Sequence, residues 1–92
     1  MMDEILLAFI VRSLAGRDKG KLFVVIGLQQ GCAYLADGRV RQVEKPKLKK
    51  LKHLQRIAYY DCMTAERIKN GEKVHNSELR RMLNEFTATP AG

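Results

Sequence analysis

The first sixty residues contain short apolar segments separated by polar or glycine-containing turns. Residues 5–12 are almost entirely apolar, and such a run fits either a buried strand or a helical turn. Residues 22–26 combine β-branched and aromatic side chains, which favours a strand. A second strand is expected over 32–36, after a turn at 29–31, and a last short strand within 53–58. The pattern therefore predicts short strands joined by tight connections.

The dipeptide Asp37-Gly38 predicts a hairpin, because a type I′ turn needs two residues that tolerate positive φ. Residues 39–43 would form the partner strand. Period-two alternation would place Arg39 and Arg41 on one face of it. Pro46 would end this strand, since proline has no N–H to donate to a sheet.

Helical spacing replaces this pattern in the last third of the chain. Thr64 is a candidate N-cap for a short helix that ends at Asn70-Gly71, where glycine suits the position after the last turn. Asn76 or Ser77 would cap a second helix. Apolar residues then recur at i, i+3, i+4 and i+7, and this stripe is expected to cover the core: Leu79, Met82, Leu83 and Phe86.

Positive charge is concentrated in one part of the 92-residue chain, whose net charge is +7. Residues 39–56 hold eight Lys/Arg and a single acid, Glu44, whereas the remaining nine Lys/Arg are balanced by nine Asp/Glu. Most charge runs are merely solvated surface. Selection for solubility alone would not require one stretch to carry the whole excess, so the distribution favours an RNA partner.

The basic stretch also allows a different interpretation. Leu48, Leu51, Leu54 and Ile57 recur every three residues behind Pro46, which could begin a helix. A basic amphipathic helix would bind an anionic membrane surface or the groove of a partner protein. A uniform spacing of three drifts around a helix, however, and this favours a strand at the end of the stretch.

Residues 16–21 (GRDKGK) invite comparison with a phosphate-binding P-loop. That motif needs four residues between its glycines, Ser or Thr after the lysine, and a helix next. Here three residues separate Gly16 from Gly20, leucine follows the lysine, and a strand is expected next. The segment instead predicts a tight connection with glycines at positive φ or in close approach to a neighbour. Arg17 and Lys19 at its tip either meet phosphate or are simply solvated.

The apolar strand, the GRDKGK loop and residues 23–26 together resemble the KOW motif, which several ribosomal proteins and NusG-type transcription elongation factors share. The resemblance covers residues 8 to about 34, and the whole chain is similar to small bacterial KOW-domain proteins related to the L14e-type ribosomal proteins of archaea and eukaryotes. Gly20 matches the family's most characteristic glycine. Ala8-Phe9 departs from it, since the motif usually opens with glycine, and Phe23 stands where many members carry a second glycine.

The resemblance implies a small SH3-like β-barrel of about five strands that binds ribosomal RNA or docks on a ribosomal or transcription partner. We therefore expect a mainly β domain with one or two C-terminal helices. The KOW-type barrel would occupy residues 1–60, and 61–92 would be a helical extension of the same domain. An alternative for the helical stripe is a contact with a ribosomal protein. The expected state is a monomer.

The sequence lacks the spacing of a catalytic or metal centre. His53 and His75 have no Ser, Cys or acid pattern around them, and Cys32 and Cys62 fit no zinc template. We expect no enzyme activity, no cofactor, no metal and two free thiols. The longest apolar run has seven residues, against roughly 20 for a membrane span, and acids rather than a basic region precede it. The expectation is a cytoplasmic protein without a membrane partner.

RNA is expected to contact the GRDKGK loop and the basic stretch. The candidate ligands of phosphate are Arg17, Lys19, Lys21, Arg39, Arg41, Lys45, Lys47, Lys49, Lys50, Lys52 and Arg56. Gly16 and Gly20 would be structural glycines of the loop. Tyr59 and Tyr60 could stack on bases, but the favoured interpretation is that the pair splits, with one ring packed on the core and the other at the surface. The alternative function is protein docking with an incidental basic patch.

Overall fold

The computed structural model describes residues 4–88. Its elements follow the order strands, then helices, with a single 3₁₀ turn at Leu51–His53. They are β1 (Ile10–Ser13), β2 (Leu22–Gln29), β3 (Cys32–Ala36), β4 (Lys47–Lys50), β5 (Leu54–Ala58), α1 (Met63–Lys69) and α2 (Asn76–Ala88).

The five strands form one antiparallel sheet in the order β4-β3-β2-β1-β5. The predicted mainly β domain with a helical tail is therefore confirmed. The strands predicted over 22–26, 32–36 and 53–58 are all present, and the first of them continues to Gln29. The apolar run at 5–12 becomes a strand only from Ile10 onwards.

Both faces of the sheet are covered, which explains why its central strands are apolar without alternation. On one face, Ile10 and Val24 pack against buried residues of both helices. On the other, Val11, Phe23 and Leu35 form a cluster made by the strands themselves. The helices thus share a hydrophobic core with the sheet.

The sheet is strongly curved. Three strand spacings separate β4 from β1, which would be about 14 Å in a flat sheet. Yet Lys49 Nζ in β4 donates hydrogen bonds to Ser13 Oγ in β1, at 2.8 Å, and to the carbonyl of Ala15, at 2.5 Å. A lysine side chain reaches less than half of that flat distance, so the sheet must curl to bring β4 close to β1.

The predicted hairpin at Asp37-Gly38 is wrong. Residues 38–41 form a bend, and β3 pairs with β4, not with 39–43. The Asp37 carboxylate accepts hydrogen bonds from the backbone N–H of Arg39 and of Arg41, both at 2.9 Å. These bonds fold the chain into a compact loop in place of a two-residue turn. Arg39 and Arg41 consequently do not share the face of a strand.

The basic stretch forms neither an amphipathic helix nor a strand ended by Pro46. Pro46 directly precedes β4, and Lys47–Lys50 form an edge strand that leads through the 3₁₀ turn into β5. Leu48 is exposed on that strand, whereas Leu54 is buried in β5. The amphipathic helix that the membrane-binding or groove-binding alternative assumed is therefore not formed by this segment.

The helices differ from prediction at their starts. Cys62, not Thr64, occupies the N-cap position of α1, and it makes no side-chain cap. The predicted end at Asn70-Gly71 is confirmed, with Gly71 at φ +78°. Glu78 accepts a hydrogen bond from the His75 N–H, the reciprocal half of a capping box. Neither Asn76 nor Ser77 caps α2, since Asn76 directs its amide to the 42–46 segment.

The apolar stripe of α2 packs inward, as predicted. Leu79 and Met82 are almost fully buried, and Leu83 and Phe86 pack partly buried against the same cluster. Leu79 and Met82 therefore cannot touch a ribosomal protein while the domain is folded. Only Leu83 and Phe86 retain exposed surface for such a contact.

Candidate nucleic-acid interface

The GRDKGK segment connects β1 to β2 as a tight loop that exposes its cations. Gly16 and Gly20 adopt φ of +80° and +88°, which confirms the predicted need for glycine. The Gly20 N–H donates to the Ser13 carbonyl at 2.7 Å and closes the loop. Arg17 and Lys19 are exposed on it. The loop therefore presents two positive side chains on a backbone held by its own hydrogen bonds.

Asp18, in the middle of this loop, points inward. It is buried and accepts two hydrogen bonds from Arg41, from Nε at 3.2 Å and from Nη2 at 2.9 Å. Both donors converge on Asp18 Oδ2, and this ion pair joins the glycine loop to the 37–41 loop. Arg41 thus acts as a positioning residue, because its charge is offset by a buried carboxylate. It brings Arg39 and the loop cations to the same end of the sheet.

Lys49 holds the glycine loop from the other side. Its register opposite Ala33 places it on the inner face of the curved sheet, where its ammonium group donates to Ser13 and Ala15. Nζ also lies 3.4 Å from the position that a Cβ on Gly16 would take. Lys49, like Arg41, is a candidate ligand of phosphate whose charged group is engaged in contacts within the domain.

Several predicted cations remain at the surface. Lys45 lies in the turn before β4, and Lys47 and Lys50 project from β4 towards opposite sides. Lys52 and Arg56 line a separate cleft that also contains Glu4. Arg56 additionally lies over the ring of Phe9, with its guanidinium carbon 5.8 Å from the ring centroid.

Sequence reasoning missed Arg80. This residue lies in α2 and donates from Nη1 to the Gly38 carbonyl at 2.6 Å, which places it beside Lys21 and Arg39 around one cleft. The sequence indicated only that Arg80 directly follows Leu79 of the apolar stripe and so lies at the border of the buried face of the helix. The structure thus adds an arginine from the net-neutral part of the chain to the basic end of the sheet.

Glu44, the single acid of the basic stretch, is bound by α2. The Asn76 amide accepts from the Val43 N–H at 2.8 Å and donates to Glu44 Oε1 at 2.9 Å. The hydrogen bond from Asn76 is the largest of the effects that lower the pKa of Glu44. This carboxylate is therefore used to dock the 42–46 segment on the helix.

Tyr59 and Tyr60 are both half-buried against the sheet–helix cluster. Tyr59 packs against Phe9 and beneath the ammonium group of Lys69, whose pKa is raised mainly by the neighbouring carboxylate of Glu66. Tyr60 packs edge-on to Phe86, and burial, with a smaller effect of the nearby Glu85, raises its pKa. Both rings therefore pack on the core, whereas the sequence predicted this for only one of the two.

Across residues 4–88, no three His, Cys, Asp or Glu side chains cluster as they would around a metal ion. Cys32 and Cys62 are free thiols, both half-buried. None of the helices within this range is long and apolar enough to cross a membrane.

Comparison of the chain with protein-family models gives no match, and a search of curated proteins finds none similar to it.

Proposed function

We propose that this chain is a non-catalytic RNA-binding module of the KOW type, with an SH3-like β-barrel, and that its target is ribosomal RNA or another ribosome-associated RNA. The observation that carries the proposal is the joining of the glycine loop to the 37–41 loop by Asp18 and Arg41. That pair gathers cations from separate segments at one end of the sheet.

Backbone geometry supports the KOW resemblance. The curl that brings Lys49 to β1 is what closure of a five-stranded sheet requires. Ala8, where the motif usually opens with glycine, has φ of +73°, a conformation that glycine adopts without strain. Its N–H donates to the Val25 carbonyl at 2.8 Å, which locks the entry to β1. The chain thus keeps a glycine-like backbone at this position without the glycine.

Electrostatics supports RNA as the ligand. Arg17, Lys19 and Lys21 are exposed on or beside the glycine loop, and Arg39 and Lys47 are exposed on neighbouring segments. The nearby acids are already engaged, Asp18 by Arg41 and Glu44 by Asn76. Lys and Arg arranged along a phosphate backbone gain most of their affinity from counterion release.

The test is a salt series. Affinity of the chain for a structured ribosomal RNA fragment, measured by fluorescence anisotropy, should fall linearly with log salt, with a slope that corresponds to roughly four to seven released counterions. Binding that is tight but insensitive to salt would contradict a phosphate-reading surface. Absence of binding at low salt would contradict the proposed function altogether.

A second candidate function is protein docking on the ribosome or on the transcription machinery. The observation in its favour is a shallow apolar recess of about 540 Å³, formed by Leu6, Leu7, Phe9, Leu28 and Tyr59 with Lys69 at its edge. Leu6 and Leu28 are each more than 40% exposed there. The occupant would be an apolar side chain next to an acidic one. Such binding depends on apolar burial and would respond weakly to the same salt series.

A further inference from the structure

A small open cleft lies between the start of β2, the 37–41 loop and α2. Its volume is about 300 Å³, at the lower end of the range of small-ligand sites. Three cations from three different segments line it, Lys21, Arg39 and Arg80. Leu22 and Leu83 supply an apolar surface between them. Cations and an apolar wall therefore face the same space.

The cleft has an excess of positive charge. Asp37 is the one carboxylate among its described lining residues, and its Oδ1 already accepts the backbone N–H groups of Arg39 and Arg41. A larger cleft, of about 660 Å³ near the α1–α2 connection, contains the carboxylates of Glu44 and Glu72 but only one lysine, Lys73, besides His75. Of these two clefts, only the smaller one suits an anion.

Arg80 is held in place before any ligand arrives. It is half-buried, and its hydrogen bond to the Gly38 carbonyl fixes the guanidinium group at the cleft. A guanidinium group carries five N–H donors, so this bond leaves others for a ligand. Less side-chain entropy is then lost on binding than with a freely rotating cation.

We propose that this cleft binds one nucleotide unit of a single-stranded RNA segment. The phosphodiester oxygens accept hydrogen bonds from Lys21, Arg39 and Arg80, and the attached nucleoside packs against Leu22 and Leu83. The inference rests on the proposed function and adds to it a defined site, between the sheet and α2, where an unpaired RNA segment leaves the glycine loop.

The test compares two neighbouring arginines. Arg81 follows Arg80 in α2, is exposed and does not line the cleft. Affinity for an oligouridylate of about six nucleotides should fall by about tenfold in Arg80→Gln and by about twofold at most in Arg81→Gln. Both variants lose the same charge, so a general electrostatic effect would weaken them equally.

A second pair of variants is needed because Arg80→Gln also removes the hydrogen bond to the Gly38 carbonyl, which could weaken binding indirectly. Lys21 lines the cleft and Lys19 does not, although both are exposed cations close together in sequence. Lys21→Gln should weaken oligouridylate binding severalfold more than Lys19→Gln. Equal losses within both pairs, with RNA binding intact in the wild type, would refute the cleft and leave the proposed function standing. Absence of RNA binding by the wild type would refute both.

Discussion

Gly38→Ala is expected to lower the free energy of unfolding by about 2–5 kcal/mol, because it combines an unfavourable φ with a steric clash. Gly38 has φ of +79°, and an added Cβ would lie 2.3 Å from the Asn76 carbonyl oxygen and 3.1 Å from Cγ of Arg80. The nearest atom belongs to the backbone at the start of α2. It cannot move aside without separating the 37–41 loop from the helix.

Gly31→Ala is the matched control. Gly31 also has positive φ, +71°, but no atom would lie within 4 Å of an added Cβ. Its substitution should therefore lower the free energy of unfolding by only about 1 kcal/mol, because alanine is unfavourable at positive φ but meets no steric clash. Urea denaturation of both variants measures the difference. Equal losses would mean that the close contact between Gly38 and α2 does not hold the loop against the helix.

Lys49→Met is expected to lower the free energy of unfolding by about 1–3 kcal/mol, although most lysine substitutions on a protein surface have little effect. The change removes the charged donor for Ser13 Oγ and for the Ala15 carbonyl while keeping most of the side-chain volume. Ser13 is fully buried, so water cannot simply replace the ammonium group.

Lys50→Met serves as the comparison. Lys50 adjoins Lys49 in β4 but projects to the opposite side of the sheet and is exposed. Its substitution should change stability by no more than about 0.5 kcal/mol, while weakening RNA binding through loss of a surface charge. Denaturation and anisotropy measurements on the two variants separate these roles. If Lys49→Met proved as stable as the wild type, the internal role of Lys49 would be wrong.

Local chemistry was sufficient to predict the central strands but not the edge of the sheet. Residues 22–26 are rich in strand-forming side chains and residues 32–36 follow a turn, and both segments form strands. The hairpin prediction failed because Asp37 uses its carboxylate to bind two backbone N–H groups. β4 lacked a strand pattern because lysine occupies its inward-facing position 49, where a hydrogen-bonded ammonium group takes the place of an apolar side chain.

The candidate site was only partly predictable for a similar reason. Counting charges identified a basic region, but it could not show which cations are bound internally. Arg41 meets Asp18 across 23 residues of sequence, and Lys49 meets Ser13 across 36. Arg80 reaches the site only because α2 packs beside Gly38. These contacts depend on the tertiary structure, and local sequence patterns do not predict them.

Ultraviolet crosslinking with residue-level mass spectrometry tests the central claim most directly, since it reports which parts of the chain touch RNA. The chain would be irradiated in cells, and both the crosslinked nucleotides and the modified peptides would be identified. We expect crosslinks within the glycine loop, the 37–41 loop and residues 45–50, to nucleotides of ribosomal or ribosome-associated RNA. Crosslinks confined to α1 or to the apolar recess around Leu6 and Leu28, or none above the unirradiated control, would contradict the account.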